Sequence, residues 1–349
     1  MLVFLKNKLR NLDKIRRQKM SSLEGLLYQL IKNDSRLTEE LIPNDQVKHV
    51  LIMRNNKRIG NALFLITFVR QVRLAYPNAK IDLALVMPWQ GQFFENLGVN
   101  NIYYTQISFT GLFKWFNTIK ELNKLQLDLI LAPTCSASDS ITAAMVNSKN
   151  KASSYNKKRI LAFPHSVDVP RKKAHAAYGG LPLLEQLGHQ LATPINHNLA
   201  FSQDEIAEAK SLSHQYIKDE NILNITFFRG ARGLKALPPQ TWENILSKFE
   251  KDLDKKINWI EILSPDITTP LRENNATFET KNIRLLGAFL SNFDGFICCD
   301  TGPLHLADAS EVKCIGLYTH TDIEVFGLLG EKCTHITDIQ NFNASDCFK

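Results

Sequence analysis

No stretch of the chain reaches the roughly 18 to 20 uninterrupted apolar residues that a bilayer-spanning helix requires, the densest runs being as short as Ala62 to Phe68. A secretory signal is equally unsupported: M-L-V-F-L-K-N-K-L-R breaks its apolar stretch at Lys6 and offers no small-residue cleavage site, so a cytoplasmic location is expected. Cysteine is sparse. The six, at 135, 298, 299, 314, 333 and 347, form no C-x-x-C pair and accompany no paired histidines, which excludes the common zinc frameworks and leaves free thiols and no metal as the expectation. G-x-G-x-x-G is missing, which removes support for a nicotinamide-dependent oxidoreductase. The Walker pattern is missing too, since Leu234 precedes Lys235 and Ala236 follows it, and this disfavours nucleotide hydrolysis. Basic residues are not interleaved with aromatics as a single-strand groove would need, so no nucleic-acid partner is expected.

What is present is the composition of a globular protein, with 349 residues, 44% hydrophobic and 22% charged, long enough for two ordinary domains. The formal net charge of +7 suits an anionic partner such as a nucleotide sugar, a phosphorylated glycolipid or a membrane surface. It is concentrated at the start, where residues 1–20 hold seven basic side chains against Asp13 alone. Leu2, Leu5, Leu9, Leu12 and Ile15 recur there at helical spacing, which fits either a helix lying on a membrane or an extension packed on its own protein. Residues 1–46 are set apart as this basic amphipathic extension.

From Val47 the texture becomes that of an α/β protein. H-V-L-I-M-R predicts a buried strand, Ala62 to Tyr76 a helix, and Ile81 to Val86 a second strand; strands at Asn101 to Tyr104 and Leu127 to Ala132 flank a helix at Phe113 to Leu125. Short apolar runs alternating with helices predict a parallel sheet. Residues 147–198, rich in proline and basic clusters, predict an interdomain region, followed by a charged helix at Asp204 to Lys218. The alternation then restarts, with strands at Asn224 to Phe228, Trp259 to Leu263, Gly295 to Cys299 and Cys314 to Tyr318 and a helix at Pro239 to Asp252. Two Rossmann-like domains, 47–198 and 199–349, are expected to face each other across a cleft, with functional residues in the loops after the strands.

Three such loops carry chemistry. F-F-R-G-A-R-G-L-K (227–235) sets Arg229, Arg232 and Lys235 among Gly230 and Gly233, a composition for holding a diphosphate or else a solvated basic turn. C-C-D-T-G-P-L-H-L-A-D-A (298–309) ends a strand at Asp300 and opens a helix near Pro303. The helix amino end with Thr301, Gly302 and His305 suits phosphate oxygens, although Asp300 and Thr301 also fit a simple N-cap. R-N-N-K-R-I-G-N (54–61) brings Arg54, Lys57, Arg58 and Gly60 to the first domain, where an acceptor would meet the donor.

In this order the three loops resemble the lipopolysaccharide heptosyltransferase family. V-L-I-M-R-N-N-K-R-I-G-N-A-L-F-L-I-T-F-V-R-Q-V-R-L-A-Y-P-N-A-K-I-D-L is similar to its first strand, glycine loop and helix, and H-A-A-Y-G-G-L-P-L-L-E-Q-L-G (175–188) to the helix before its second domain. R-G-A-R-G-L-K-A-L-P-P-Q-T-W resembles its G-A-x-x-x-K-x-W-P segment, and D-T-G-P-L-H-L-A-D-A is the closest match. The likeness spans residues 47 to 320 and leaves the extreme C-terminus outside.

The resemblance implies a GT-B fold and inverting, metal-independent transfer without a cofactor, from a nucleotide-diphosphate sugar, ADP-heptose or similar, to a lipopolysaccharide or lipooligosaccharide core acceptor. It implies Lys235 as the phosphate-binding lysine, Asp300, Thr301, Gly302 and His305 as the donor loop, and Asp266 near the acidic ribose-binding position. One departure stands out: the family commonly carries aspartate after the first-loop glycine as the acceptor base, and this chain carries Asn61. An amide cannot take that proton, so Asn61 positions the acceptor, or another group, of which Asp139 is one candidate, acts as base, or activity is weak. The alternatives are a non-catalytic nucleotide-sugar-binding protein and a nucleotide-sugar epimerase of the same fold.

Overall fold

The structure is a computed structural model describing residues 25–169, 174–219 and 221–348; the basic stripe of residues 1–20 lies outside the described residues. A helix at residues 25–31 (α1) precedes the first sheet, which comprises β1 (His49–Met53), β2 (Lys80–Leu85), β3 (Asn101–Tyr104), β4 (Leu129–Ala132) and β5 (Asn150–Ser153). All are parallel in the order β3-β2-β1-β4-β5. Central runs such as Val50 to Met53 are apolar without alternation because helices cover both faces of the sheet. These helices are α2 (Ile59–Leu63), α3 (Leu65–Ala75), α4 (Leu112–Leu122) and α5 (Ala137–Met145), and α6 (Pro182–Gln186) and α7 (Gln203–Ser213) lead to the second unit.

The second sheet comprises β6 (Ile222–Phe228), β7 (Lys256–Ile262), β8 (Ala276–Phe278), β9 (Gly295–Cys299), β10 (Cys314–Leu317) and β11 (Thr334–Ile336), again parallel, in the order β11-β10-β9-β6-β7-β8. Its helices are α8 (Pro239–Asp252), α9 (Ile283–Leu290), α10 (Gly302–Ala309) and α11 (Ile323–Phe326). Both sheets therefore have Rossmann-type order, reversing direction once, between β1 and β4 and between β6 and β9. Ligand crevices form at such reversals because the two crossover connections leave the carboxyl edge on opposite faces. All six cysteines are free, and no helix among the described residues is long and apolar enough to cross a membrane.

The α/β expectation holds, and α8 and β9 have the bounds read from the sequence. The helix expected over Ala62 to Tyr76 is instead two, α2 and α3, parted at Phe64. Within the supposed interdomain stretch lies β5, hidden in sequence because N-K-A-S looks like a loop. Its polar groups are buried and paired: the Asn150 amide donates to the Thr38 hydroxyl (2.9 Å) and the Glu40 carbonyl (3.0 Å), and Ser153 donates to the Ala132 carbonyl (2.8 Å). The Lys151 ammonium donates to the Asn33 carbonyl at 3.1 Å. These bonds also seat residues 33–42, from within the stretch set apart as an extension, along the β5 edge.

Burial pushes the Lys151 ammonium down to about 8, against the opposing pull of Asp34. The folded-state value thus lies below the unfolded one, near 10.4. The penalty of burying this charge is fully present below pH 8 and is relieved as pH rises toward 10, where the folded lysine is neutral while the unfolded one still binds a proton. Urea unfolding of the wild type and Lys151→Met should therefore show the wild type gaining on the variant by about 1–3 kcal/mol between pH 8 and 10. A difference constant across that window would contradict the assignment.

The two units meet along a bonded seam. Arg284 on α9, itself buried, donates to the Gln92 carbonyl of the first unit (2.9 Å), to the Ala200 carbonyl (2.6 Å) and to Glu205 Oε2 on α7 (2.7 Å). This hydrogen bond to Arg284 is the main reason that the Glu205 carboxyl falls to about 2. On the other side of the seam His175 donates from Nε2 to the Gly327 carbonyl (2.9 Å) and accepts the Ala177 N–H at Nδ1 (3.2 Å). With both ring nitrogens so used the imidazole is neutral, and burial pushes its pKa down.

Candidate active site

At the reversal of the second sheet, the loops after β6 and β9 converge. Asp300 follows β9 and is nearly buried; its Oδ1 accepts from His305 Nε2 (3.0 Å) and its Oδ2 pairs with the Lys235 ammonium, which also donates to the Asp300 carbonyl (3.1 Å). Burial pushes this carboxyl upward, but hydrogen bonds from His305, Lys235 and Thr321 outweigh it and hold the group below the usual carboxylate range. The bond from His305 leaves the proton on Nε2; Nδ1 is buried without a hydrogen-bond partner among the described residues. Lys235 reaches Asp300 because Gly233, at φ +66, turns the chain into a short 3-10 turn, Gly233–Lys235. Gly230 lies against the Phe228 ring, where no side chain fits.

Thr301 occupies the N-cap of α10 by position, but its side chain makes no capping bond; its hydroxyl sits 3.3 Å from Cys298 Sγ. At the amino end of α10, Pro303 brings no N–H and the Leu304 N–H donates to the Thr301 carbonyl (3.1 Å), so the donor this end can offer a ligand is the Gly302 N–H. That end abuts the first unit. A methyl group on Gly302 would stand 2.7 Å from Ile59 Cβ, and one on Gly60 would stand 3.2 Å from His305 Cδ2. Two glycines, one per unit, thus permit α2 and α10 to touch, and they carry the 54–61 loop onto the Asp300–His305–Lys235 group. Asn61, half-buried on α2, is adjacent in sequence to Gly60 at this contact.

Residues 271–349 match the family model described as glycosyltransferase family 9 (heptosyltransferase). The chain is a glycosyltransferase, and its C-terminal segment carries the likeness to family 9. The match runs past residue 320, the end of the likeness expected from the sequence. Among solved structures, the glycosyl transferase family 9 protein from Veillonella parvula DSM 2008 is 16% identical over 86% of this chain and 89% of its own, with TM-score 0.73. The E. coli heptosyltransferase WaaC with ADP is 14% identical over 85% and 97%, with TM-score 0.67. E. coli ADP-heptose LPS heptosyltransferase II is 13% identical over 83% and 90%, with TM-score 0.65. At these identities the likeness is one of fold, GT-B in each case. No curated protein matches the chain.

Several residues expected at the site of this glycosyltransferase lie elsewhere. Arg229 does not join Lys235: it pairs with Glu261, a fully buried carboxylate at the end of β7, and donates to the Thr269 carbonyl at 2.7 Å. A buried carboxylate requires a charge partner, and this arginine supplies it. Arg232 and Asp266 come together at 3.7 Å, but their side chains are 95% and 81% exposed, so the pair itself contributes little. Lys57 and Arg58 are exposed on the first-unit loop, whereas Arg54 is partly buried; burial pushes its pKa down, with Asp139 opposing.

Asp139 is not placed to act as the acceptor base. It is buried, accepts the Asn55 N–H at 2.6 Å through Oδ1, and accepts both the Ser136 N–H (3.1 Å) and hydroxyl (2.5 Å) through Oδ2. It completes the capping box of α5 and pins the β1 loop to the β4 loop. The sequence signal for this was S-A-S-D before a helix. Asp308 was overlooked in the D-T-G-P-L-H-L-A-D-A motif: its carboxylate accepts the Leu329 N–H (2.8 Å) and the Gly330 N–H (2.9 Å), securing the loop that His175 also holds.

Proposed function

We propose that this glycosyltransferase moves heptose or a related sugar, with inversion, from ADP-heptose or a similar nucleotide-diphosphate sugar to a lipopolysaccharide or lipooligosaccharide core acceptor at the cytoplasmic face of the inner membrane. The observation that carries this reading is the Lys235–Asp300–His305 group at the sheet reversal, closed against a basic loop of the other unit. The donor binds the second unit, 199–349, through Gly230, Arg232, Lys235, Asp266, Asp300, Thr301, Gly302 and His305. The acceptor binds the first, 47–198, through Arg54, Lys57, Arg58 and Gly60. The acceptor hydroxyl oxygen bonds to C1 as the C1–O bond to the diphosphate breaks and its electron pair leaves with the phosphate, while the hydroxyl proton passes to solvent. Lys235 and the amino end of α10 stabilise that charge. That solved relatives of this fold hold ADP or ADP-2-deoxy-2-fluoro heptose supports the choice of donor.

Asn61 favours a second reading, a protein that binds the nucleotide sugar without turning it over. A panel of nucleotide sugars, assayed for nucleotide diphosphate release with and without truncated core glycolipids, separates the two. Release that depends on the acceptor supports transfer and identifies the donor. Donor binding without release under every condition refutes it in favour of the binder.

A further inference from the structure

Among the described residues the outer face of α4 has no partner. Trp115, Thr118, Ile119 and Leu122 turn into the core of the first unit, while Leu112, Phe113 and Phe116 are left in solvent, Phe113 at 79% and Phe116 at 45% exposure. At about 100° per residue, Leu112, Phe116, Lys120 and Phe113 fall within one arc of about 100° that begins beside the buried face. Lys120 lies within that arc, Lys114 about 100° beyond Phe113 and Lys124 just past the end of α4, all three exposed, and Glu121 is the one acidic residue from 112 to 124. α1 packs Tyr28 into the same core as Trp115 and Ile119, so Leu26 and Leu30, 58% and 76% exposed, extend an apolar surface on that side of the sheet.

This surface lies at the end of the molecule where chemistry is expected. α4 follows β3 at the carboxyl edge of the first sheet, and the connection is tied to the basic loop by the Thr105 hydroxyl donating to Asn55 Oδ1 at 2.7 Å. Exposed aromatic side chains on a lysine-bearing helix have the composition of a surface that partitions into the headgroup region of an anionic bilayer, the rings entering the acyl boundary and the ammonium groups meeting phosphates. Building on the reading that the acceptor is a glycolipid, we infer that the outer face of α4, with Phe113 and Phe116 as anchors, docks this glycosyltransferase on an anionic phospholipid bilayer and brings the 54–61 loop to the headgroups.

The test is co-sedimentation of the full chain with vesicles of phosphatidylcholine alone or with phosphatidylglycerol, without donor or acceptor, so that its outcome is independent of the transferase assay. Binding should require phosphatidylglycerol. Phe113→Ser/Phe116→Ser should lower the partition coefficient by about ten- to a hundredfold, and Lys114→Gln/Lys120→Gln/Lys124→Gln should lower it on anionic vesicles and flatten its dependence on salt. Both variants should melt as the wild type does and should release nucleotide diphosphate normally with a lipid-free core oligosaccharide. Unchanged partitioning of the Phe variant would overturn the inference. A wild-type dimer in sedimentation equilibrium that this variant dissociates would also overturn it, by giving the face to a second copy. Vesicle binding that survives a failed transferase assay would retain the surface and refute only the assigned function.

Discussion

Lys235→Ala should lower turnover by about a hundred- to a thousandfold, the loss typical of removing one preorganised group that stabilises developing oxyanion charge. The side chain is the only cation hydrogen-bonded to Asp300 among the described residues, and Arg229, the other cation of that loop nearest the strand, is committed to Glu261. No neighbour is therefore positioned to replace it. Without a donor the ammonium rests on the Asp300 carboxylate; a diphosphate would share it, and the pair keeps Lys235 in one place before the donor arrives. Asp300→Asn should also cripple turnover, because the Lys235 ammonium and the His305 Nε2–H lose the charge that holds them. The Lys235 variant leaves a buried carboxylate with fewer partners, so melting curves must accompany the rates. Nucleotide diphosphate release from Lys235→Ala above about a tenth of the wild-type rate would refute the assigned role.

Asn61→Asp should raise kcat by about a hundredfold, the usual contribution of a positioned general base. The position favours an ionised carboxylate, since it lies in the first turn of α2, which contains no acidic residue and has Arg58 at its N-cap position without a side-chain capping bond. KM for the acceptor should change little, because aspartate retains the size and one hydrogen-bond acceptor of asparagine. The gain should appear as pH rises through the new carboxyl's pKa, so kcat for the variant, divided by that of the wild type, should fall at acidic pH. An unchanged or lower kcat in a variant of normal stability would mean that Asn61 orients the acceptor and that the proton leaves by another route.

Most of the central strands were legible because parallel strands covered on both faces must be short, continuous apolar runs, and the loops after them because glycine, proline and cations interrupt that pattern. β5 was not, since its polar residues become buried only through partners at Thr38, Glu40 and Ala132. Edge strands β8 and β11, three residues each, are too short for any periodicity to emerge.

The nature of the site was equally legible as a set of residue types, but not their assignments. Arg229 and Lys235 are equivalent cations in the same loop. The sequence offers no reason to send one to Glu261 and the other to Asp300, because that choice follows from β6 lying between β7 and β9. Asp139 was a plausible base until its three hydrogen bonds were seen.

By itself the sequence determined that this is a two-sheet α/β chain with phosphate-suited loops after its strands, since hydrophobic period, turn residues and charge are local properties of the chain. Only the tertiary structure decided which cations remain available, that Gly60 meets His305 and Gly302 meets Ile59, and that α4 leaves its aromatic side chains exposed among the described residues. Those outcomes depend on strand order and on contacts between residues far apart in the chain, such as Lys235 and Asp300 at a separation of 65. No local pattern encodes which distant partner a side chain will find.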